Sequence, residues 1–365
     1  MLPFSDHSAA LRGMGADDQR LLEIEQALSD APPGSLAGRV SRVDRGQFQL
    51  LTPVGSYSVD TSGVAPVGVG DWCIVGGAEV TPTPGSSLEL QHLLERRTSL
   101  VRQSSGNRTE RQVLATNVDT VMVVIPFDLE FSPRRAERFL ALAWDSGAPP
   151  VIVLTKADLI SDESTASVLQ EVDAIRAEAP VIICSTVTGA GMPELQALVT
   201  LGRTVALIGT SGSGKSSLVN SLSGAQVVKT GAVRAADAKG RHTTTWRELI
   251  VVPSGGTLID TPGLRELGMW IDEEGIESAF TDISELAPQC RFNDCAHQSE
   301  PGCAVLAAIA SGDLDPIRLE SYRKLLGEAA DASGKHDYRM AKHQQKIGKK
   351  RIQADKDRDR PLDTR

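Results

Sequence analysis

The sequence predicts an α/β chain built in parts, and three observations predict it. Short alternating segments punctuated by Gly and Pro fill residues 36–97. Apolar runs that alternate with helical stretches occupy 98–272. Beyond about Glu277 the apolar runs stop, and a helical segment carrying three of the five cysteines begins.

Each part follows in order. Residues 1–35 are polar and end in the breaker run Ala31-Pro32-Pro33-Gly34, which reads as a loose extension. Arg39–Val43, Gln47–Leu51, Tyr57–Val59 and Trp72–Val75 are short enough, and alternate well enough, for a small all-β barrel over 36–97. Thr120–Ile125, Val151–Leu154, Val181–Cys184, Val205–Ile208, Leu249–Val252 and Thr257–Ile259 are apolar throughout. They are separated by helical stretches such as Pro133–Trp144 and Ser164–Ala177, the pattern of a parallel sheet covered on both faces. A cysteine domain over 273–333 and a charged tail over 334–365 complete the chain.

Composition excludes several classes. The chain has 365 residues, 41% apolar and 23% charged, an ordinary globular mixture. A formal net charge of −9 argues against coating nucleic acid through overall charge, so such contacts must come from local basic patches. The N-terminus lacks a basic n-region followed by an apolar stretch, and no apolar run approaches the roughly 20 residues of a membrane helix. The expected setting is the cytoplasm, with no membrane partner and a monomeric chain.

Gly209-Thr210-Ser211-Gly212-Ser213-Gly214-Lys215-Ser216 fits G-x-x-x-x-G-K-[ST], between the strand 205–208 and a helical stretch from Ser217. Its glycines let backbone N–H groups turn toward phosphate oxygens. Lys215 would bridge the β- and γ-phosphates, and the Ser216 hydroxyl would ligate Mg²⁺. Asp260-Thr261-Pro262-Gly263 follows the strand 257–259. Its carboxylate can hold the Mg²⁺ shell, and the Gly263 N–H can meet the γ-phosphate.

The base is read earlier in the chain. Thr155-Lys156-Ala157-Asp158 places a carboxylate where it can accept from guanine N1–H and N2–H₂, a donor pair that adenine lacks. It resembles N-K-x-D with Thr155 in place of Asn, and a Thr hydroxyl partly replaces the amide that ties this loop to the phosphate loop. Ser185 and Thr186 end the next strand and resemble the segment whose backbone meets guanine O6. The guanine motifs thus precede the phosphate loop, the order of a circularly permuted GTPase.

Leu264 stands where many GTPases carry a water-orienting Gln. The segment Lys239-Gly240-Arg241-His242-Thr243-Thr244-Thr245 supplies alternatives: Thr244 or Thr245 for Mg²⁺, and His242 to polarise the attacking water. Cys290, Cys295, His297 and Cys303 offer three thiolates and an imidazole, a donor set for one tetrahedral structural Zn²⁺. Cys73 and Cys184 lie in strands and read as core. Basic clusters occur at Arg39, Arg42 and Arg45, at Arg96, Arg97, Arg102, Arg108 and Arg111, and in the tail from Lys335 to Arg351. With aromatics at 4%, phosphate and shape contacts with structured RNA fit better than extensive stacking.

Taken together, GRV…GVGDW, ATNVDTVMVV, TKAD, GTSGSGKSSLVNSL, KGRHTTT, DTPG and C-x4-C-x-H-x5-C resemble the ribosome small-subunit-dependent GTPase A family. The resemblance implies an OB-fold barrel, a permuted P-loop GTPase domain and a small helical zinc-binding domain. It implies GTP turnover stimulated by the small (30S) ribosomal subunit and its 16S rRNA late in maturation, and it assigns the hydrolytic role to His242. GTP with Mg²⁺, GDP and one Zn²⁺ are the expected ligands.

Overall fold

The computed structural model describes residues 4–44, 46–60, 66–76, 88–103, 111–127, 131–228, 247–261 and 273–330. His242, Thr244, Thr245, Gly263, Arg45, Arg108 and the tail lie outside the described residues.

The N-terminal segment is not a loose extension. Helices α1 (Phe4–Gly13) and α2 (Asp18–Asp30) form there, the second started by Asp17, whose carboxylate accepts from the Arg20 N–H at 2.7 Å. Its polar composition hid a sparse apolar set: Leu11, Met14, Ala16, Leu21 and Ile24 pack on Ala37, Trp72, Ile74 and Leu94 of the barrel. A few buried positions suffice when a second surface completes the core.

The barrel comprises β1 (Leu36–Asp44), β2 (Gln47–Thr52), β3 (Gly55–Asp60), β4 (Trp72–Gly76) and β5 (Glu89–Leu93). β1 pairs antiparallel with both β2 and β4, helped by a register shift between Val40 and Arg42, and β4 pairs with β5. A parallel bridge between Val59 and Leu88 closes β3 on the approach to β5, which gives the five-stranded OB-type topology. Val40, Phe48, Leu50, Val59, Cys73 and Val75 fill its interior.

A hairpin, β6 (Ser99–Gln103) and β7 (Arg111–Thr116), leads into the α/β domain. Its strands are β8 (Thr120–Pro126), β9 (Pro150–Thr155), β10 (Val181–Ile183), β11 (Thr204–Ile208), β12 (Glu248–Val251) and β13 (Thr257–Asp260). They lie in the order β10-β9-β8-β11-β13-β12, parallel except for β12, which runs antiparallel to β13. That exception corrects the all-parallel expectation: the short turn from Val251 to Thr257 leaves no room for a crossover helix, so the two strands form a hairpin. β12 also meets β1 at Glu248 and Arg42, which joins the barrel edge-on to the sheet.

Alternate residues feed two faces. Val121, Val123, Ile152, Leu154 and Ala206 meet helices α3 (Pro133–Asp145) and α4 (Asp162–Ile175) on one side. Met122, Val124, Val153, Val205 and Leu207 meet α5 (Met192–Leu198) and α6 (Lys215–Ser223) on the other. The chain runs from β8 outward to β9 and β10, then returns across β8 to β11, so the order reverses between β8 and β11. The crevice beyond the carboxyl ends of strands at such a reversal is where open α/β sheets hold ligands.

The C-terminal part contains α7 (Glu273–Ala279), α8 (Thr281–Ser284), α9 (Ala304–Ser311) and α10 (316–330). Among the described residues it has no separate core. Ile276, Phe280, Ile283, Val305, Leu319 and Tyr322 join the cluster on the α3 face. Gly275 permits this, because a Cβ there would stand 2.5 Å from that of Asp145. Among the described residues, no helix is long and apolar enough to cross a membrane.

Candidate functional site

Four strands end at one edge of the sheet, and the predicted loops leave from those ends. β9 ends at Thr155, β10 just before Cys184, β11 before Gly209 and β13 at Asp260, in parallel register. The guanine motif and the phosphate loop are therefore neighbours in space although they lie far apart in the chain. The Thr155 hydroxyl donates to the Ser213 carbonyl at 2.7 Å, and the Cβ that Gly214 lacks would sit 3.2 Å from Thr155 Oγ1. The hydroxyl thus makes the tie between loops expected of it.

The phosphate loop folds as its glycines require. Gly209 has φ of +150°, and a side chain there would collide with the Val124 carbonyl at 2.3 Å. Gly212 and Gly214 also have positive φ, and Gly214 opens α6, so Lys215, Ser216 and Ser217 form its first turn. Thr210, Ser211 and Gly212 line the loop's outer rim, with the latter two exposed. The Lys215 ammonium donates to the carbonyls of Gly209 at 2.9 Å and Thr210 at 2.6 Å.

Burial shapes the charges here. It pushes Lys215 down to about 8 and Asp260 up to about 6, although each of the two attracts the other. A buried carboxylate and a buried ammonium beside a helix N-terminus are the chemistry that can hold a strongly anionic ligand with its counter-cation. Thr261, next to Asp260, anchors that segment by donating to the Leu207 carbonyl at 2.6 Å.

At the other end of the crevice, Lys156 adopts the left-handed region (φ 62°) and Asp158 is exposed at the rim. The Ala157 N–H donates to the Cys184 carbonyl at 3.1 Å, which joins the β9 and β10 loops. Ser185 donates its hydroxyl to the Asp158 carboxylate, and its Oγ accepts the N–H groups of Val187 and Thr188, both at 3.2 Å. Sequence reading placed Ser185 here for its backbone and missed this side-chain role. Thr186 is exposed beside it.

The cysteine cluster assembles as predicted. Ligand atoms of Cys290, Cys295, His297 and Cys303 all lie within 4.8 Å of one another. Cys290 and Cys303 sulfurs are 3.8 Å apart, and His297 Nδ1 stands 3.6 and 3.4 Å from them. A disulfide would need about 2.05 Å. Four ligands on a tetrahedral ion with bonds of about 2.0–2.3 Å stand roughly 3.3–3.8 Å apart, the spacing that Cys290, His297 and Cys303 show, and with Cys295 beside them the donor set suits zinc. Glu300, which sequence reading did not single out, braces the loop: it accepts the N–H groups of Ala296, Gln298 and Ser299 at 2.7–3.0 Å. Backbone N–H groups, its own first, pull its carboxyl down to about 2. An acidic residue inside a metal loop was the available signal. Cys73 and Cys184 are buried, as expected of core.

The predicted basic patches fare differently. Arg39 is fully buried and bonds the carbonyls of Met14, Gly70 (3.2 Å) and Asn117 (3.0 Å) and the hydroxyls of Thr204 (2.7 Å) and Thr257 (3.3 Å). Arg96 grips the buried Asp71 through two N–H bonds of 2.7 Å, and Arg97 pairs with Asp17 and Glu23. Arg42 pairs with Asp44, and Arg102 bonds Gln112. Arg39 is therefore no partner-facing charge, and Arg96 and Arg97 serve as struts between parts of this chain. Sequence shows that arginines cluster but not that carboxylates and carbonyls from distant segments meet them.

Comparison with known proteins agrees with this geometry. Residues 93–270 match the RsgA GTPase family. A "Small ribosomal subunit biogenesis GTPase RsgA" of Streptomyces avermitilis is 47% identical over 92% of this chain and 90% of its own length. Its namesake from Streptomyces coelicolor is 46% identical over 95% and 94%. Among solved structures, YjeQ from Thermotoga maritima superposes with a TM-score of 0.60 at 25% identity, over 81% of this chain and 99% of that one. YloQ, described as a circularly permuted GTPase, gives 0.59 at 26%, over 81% and 96%. With its guanine motif ahead of its phosphate loop and both at one sheet edge, this chain belongs to the RsgA GTPase family and is a circularly permuted GTP hydrolase.

Proposed function

We propose that this GTPase acts in biogenesis of the small ribosomal subunit, binding the 30S particle through its 16S rRNA and hydrolysing GTP in response to it late in maturation. The names of the two Streptomyces relatives support the process. The observation that carries the residue assignments is the bond between Thr155 and Ser213, which sets a base-reading loop against a phosphate loop. In this reading the protein works as a cytoplasmic monomer.

Asp158, oriented by Ser185, accepts the guanine N1–H and N2–H₂, while the Lys156 stem covers the base. Ala157 and Thr186 flank that pocket. The N–H groups of the 209–214 loop and Lys215 receive the phosphates, with Ser216 and Ser217 at the helix start. Ser216 and Asp260 would hold Mg²⁺, assisted by Thr244 or Thr245, and Gly263 would meet the γ-phosphate. Bound there, Mg²⁺ would neutralise charge on the β- and γ-phosphates. His242 would position the attacking water, in place of the Gln that Leu264 replaces. One Zn²⁺ on Cys290, Cys295, His297 and Cys303 would fold the cysteine loop rather than catalyse, since all four positions are filled by protein.

The test is GTP turnover with purified small subunits. Asp158→Asn should weaken GTP binding on the order of 100-fold, because its amide cannot accept both guanine donors. It should gain affinity for xanthosine triphosphate, whose carbonyl suits that amide. Unchanged GTP affinity would remove the base-reading role, and absence of stimulation in the wild type would remove the subunit. Because burial raises Asp260 to about 6, metal–nucleotide binding must expel a proton from it at lower pH. Affinity for Mg²⁺–GTP should therefore fall as pH drops through 6, and this dependence should be lost in Asp260→Asn.

A further inference from the structure

Phe292 departs from the rule that this chain follows elsewhere. Phe48, Phe127, Phe131, Phe139 and Phe280 are buried or half-buried, whereas Phe292 is 41% exposed, the one exposed Phe, Trp or Tyr among the residues whose burial is described. It lies in the loop Arg291-Phe292-Asn293-Asp294 between the first two cysteines of the cluster, and all four of these residues are exposed.

That loop is held in place from several sides. Cys290 and Cys295 belong to the cluster at its two ends. The Arg291 N–H donates to the Gly302 carbonyl at 3.0 Å, and the Phe292 carbonyl accepts from the Cys295 N–H at 3.3 Å. The Arg291 guanidinium stands 5.5 Å from the Phe292 ring centroid, within cation–π range. A ring fixed this way presents its surface to a partner at little further cost in conformational entropy.

We infer that Phe292, backed by Arg291, is a stacking platform for one unpaired RNA base. The inference rests on the small-subunit reading above and deepens it by naming the contact. Charge on the loop favours a base over bare backbone recognition: Asp294 offsets Arg291, and Glu300 is occupied by backbone N–H groups, so the loop adds little net attraction for phosphate. A π-face beside a guanidinium is the chemistry by which proteins take single bases that have left a helix. Among the described residues, stacking would then be used at one point and not along a surface.

The experiment measures binding of the full-length chain to purified small subunits with a non-hydrolysable GTP analogue, over a salt series, with zinc content determined for each variant. Phe292→Ala should weaken binding roughly 5- to 150-fold with zinc retained, the range for losing one stacked base. Phe292→Trp should bind at least as well as wild type, and Phe292→Leu as poorly as Phe292→Ala, because leucine keeps apolar bulk but has no π-face. The slope of log affinity against log salt should be the same for all, since no phosphate contact changes. Wild-type affinity in Phe292→Ala overturns the inference. So does full rescue by Phe292→Leu, which would identify an apolar protein pocket as the partner. If the wild type itself does not bind the subunit, the reading beneath the inference falls as well.

Discussion

Two buried arginines hold the parts of this protein together, and they do so by opposite means. Arg39 joins barrel, N-terminal helices and the starts of β11 and β13, and its direct partners are all neutral: three carbonyls and two threonine hydroxyls. Arg318 of α10 joins the cysteine domain to α3, and its partners include two carboxylates, Glu137 at 3.0 Å and Asp282, together with the Ala279 carbonyl at 3.0 Å. Each guanidinium also lies over an aromatic ring, Trp72 at 5.0 Å and Phe280 at 4.6 Å. The ring contact is shared, so the difference between the seams lies in the acceptors.

That difference decides what each seam loses when cut. Without Arg318, the Glu137 carboxylate, 2% exposed, would be a buried charge with no counter-ion. Without Arg39, only neutral acceptors would be orphaned, and the cost of burying a cation would vanish with it. Burial depresses Arg39 to about 9, which measures how strongly that site resists the charge. A seam built on an ion pair is therefore the more fragile to a single substitution.

The largest expected effect follows directly. Arg318→Met should cost about 3–5 kcal/mol in denaturant unfolding, the range for stranding one member of a buried pair. Arg39→Met should cost less, about 1–3 kcal/mol, for unsatisfied neutral acceptors. The reverse ranking would break the comparison. Adding Glu137→Gln to Arg318→Met should return a large part of the loss, because it removes the stranded charge, whereas strictly additive losses would show that Glu137 is not the reason.

The smallest effect is a pH dependence. Burial, the strongest influence on it, raises the Glu137 carboxyl above its ordinary 4.5, even with Arg318 opposing it. Its folded form therefore holds a proton more readily than its unfolded form. The stability this contributes is complete below 4.5 and is lost as pH rises through the folded value. Unfolding free energy of the wild type should fall relative to Glu137→Gln as pH climbs across that window. A flat difference would mean that the carboxyl does not sense its burial.

Legibility varied in the same way as the chemistry. The turn of the phosphate loop, the strand-end position of TKAD and the cysteine spacing could be read because each is local: glycine φ values, a helix start, ligands within fourteen residues. The two-helix N-terminus was not, because its apolar residues are few and acquire meaning only against Trp72 and Ile74. The sequence groups β12 with the parallel set, since an apolar run of four residues carries no direction. Arg39, Arg96 and Arg97 were read as surface because arginine is ordinarily exposed, and their partners come from remote positions.

The sequence by itself determined the chemistry on offer: a phosphate-binding turn, a carboxylate for guanine, three thiols and an imidazole, and the order in which they occur. Only the tertiary structure decided that the Ser213 carbonyl is the acceptor of the Thr155 hydroxyl, that Ser185 orients Asp158, that most of the mid-chain arginines are already engaged within the chain, and that Phe292 faces outward. The physical reason is range. Backbone conformation and ligand spacing are set by adjacent residues, whereas hydrogen-bond partners and burial are set by whatever the folded chain brings from elsewhere.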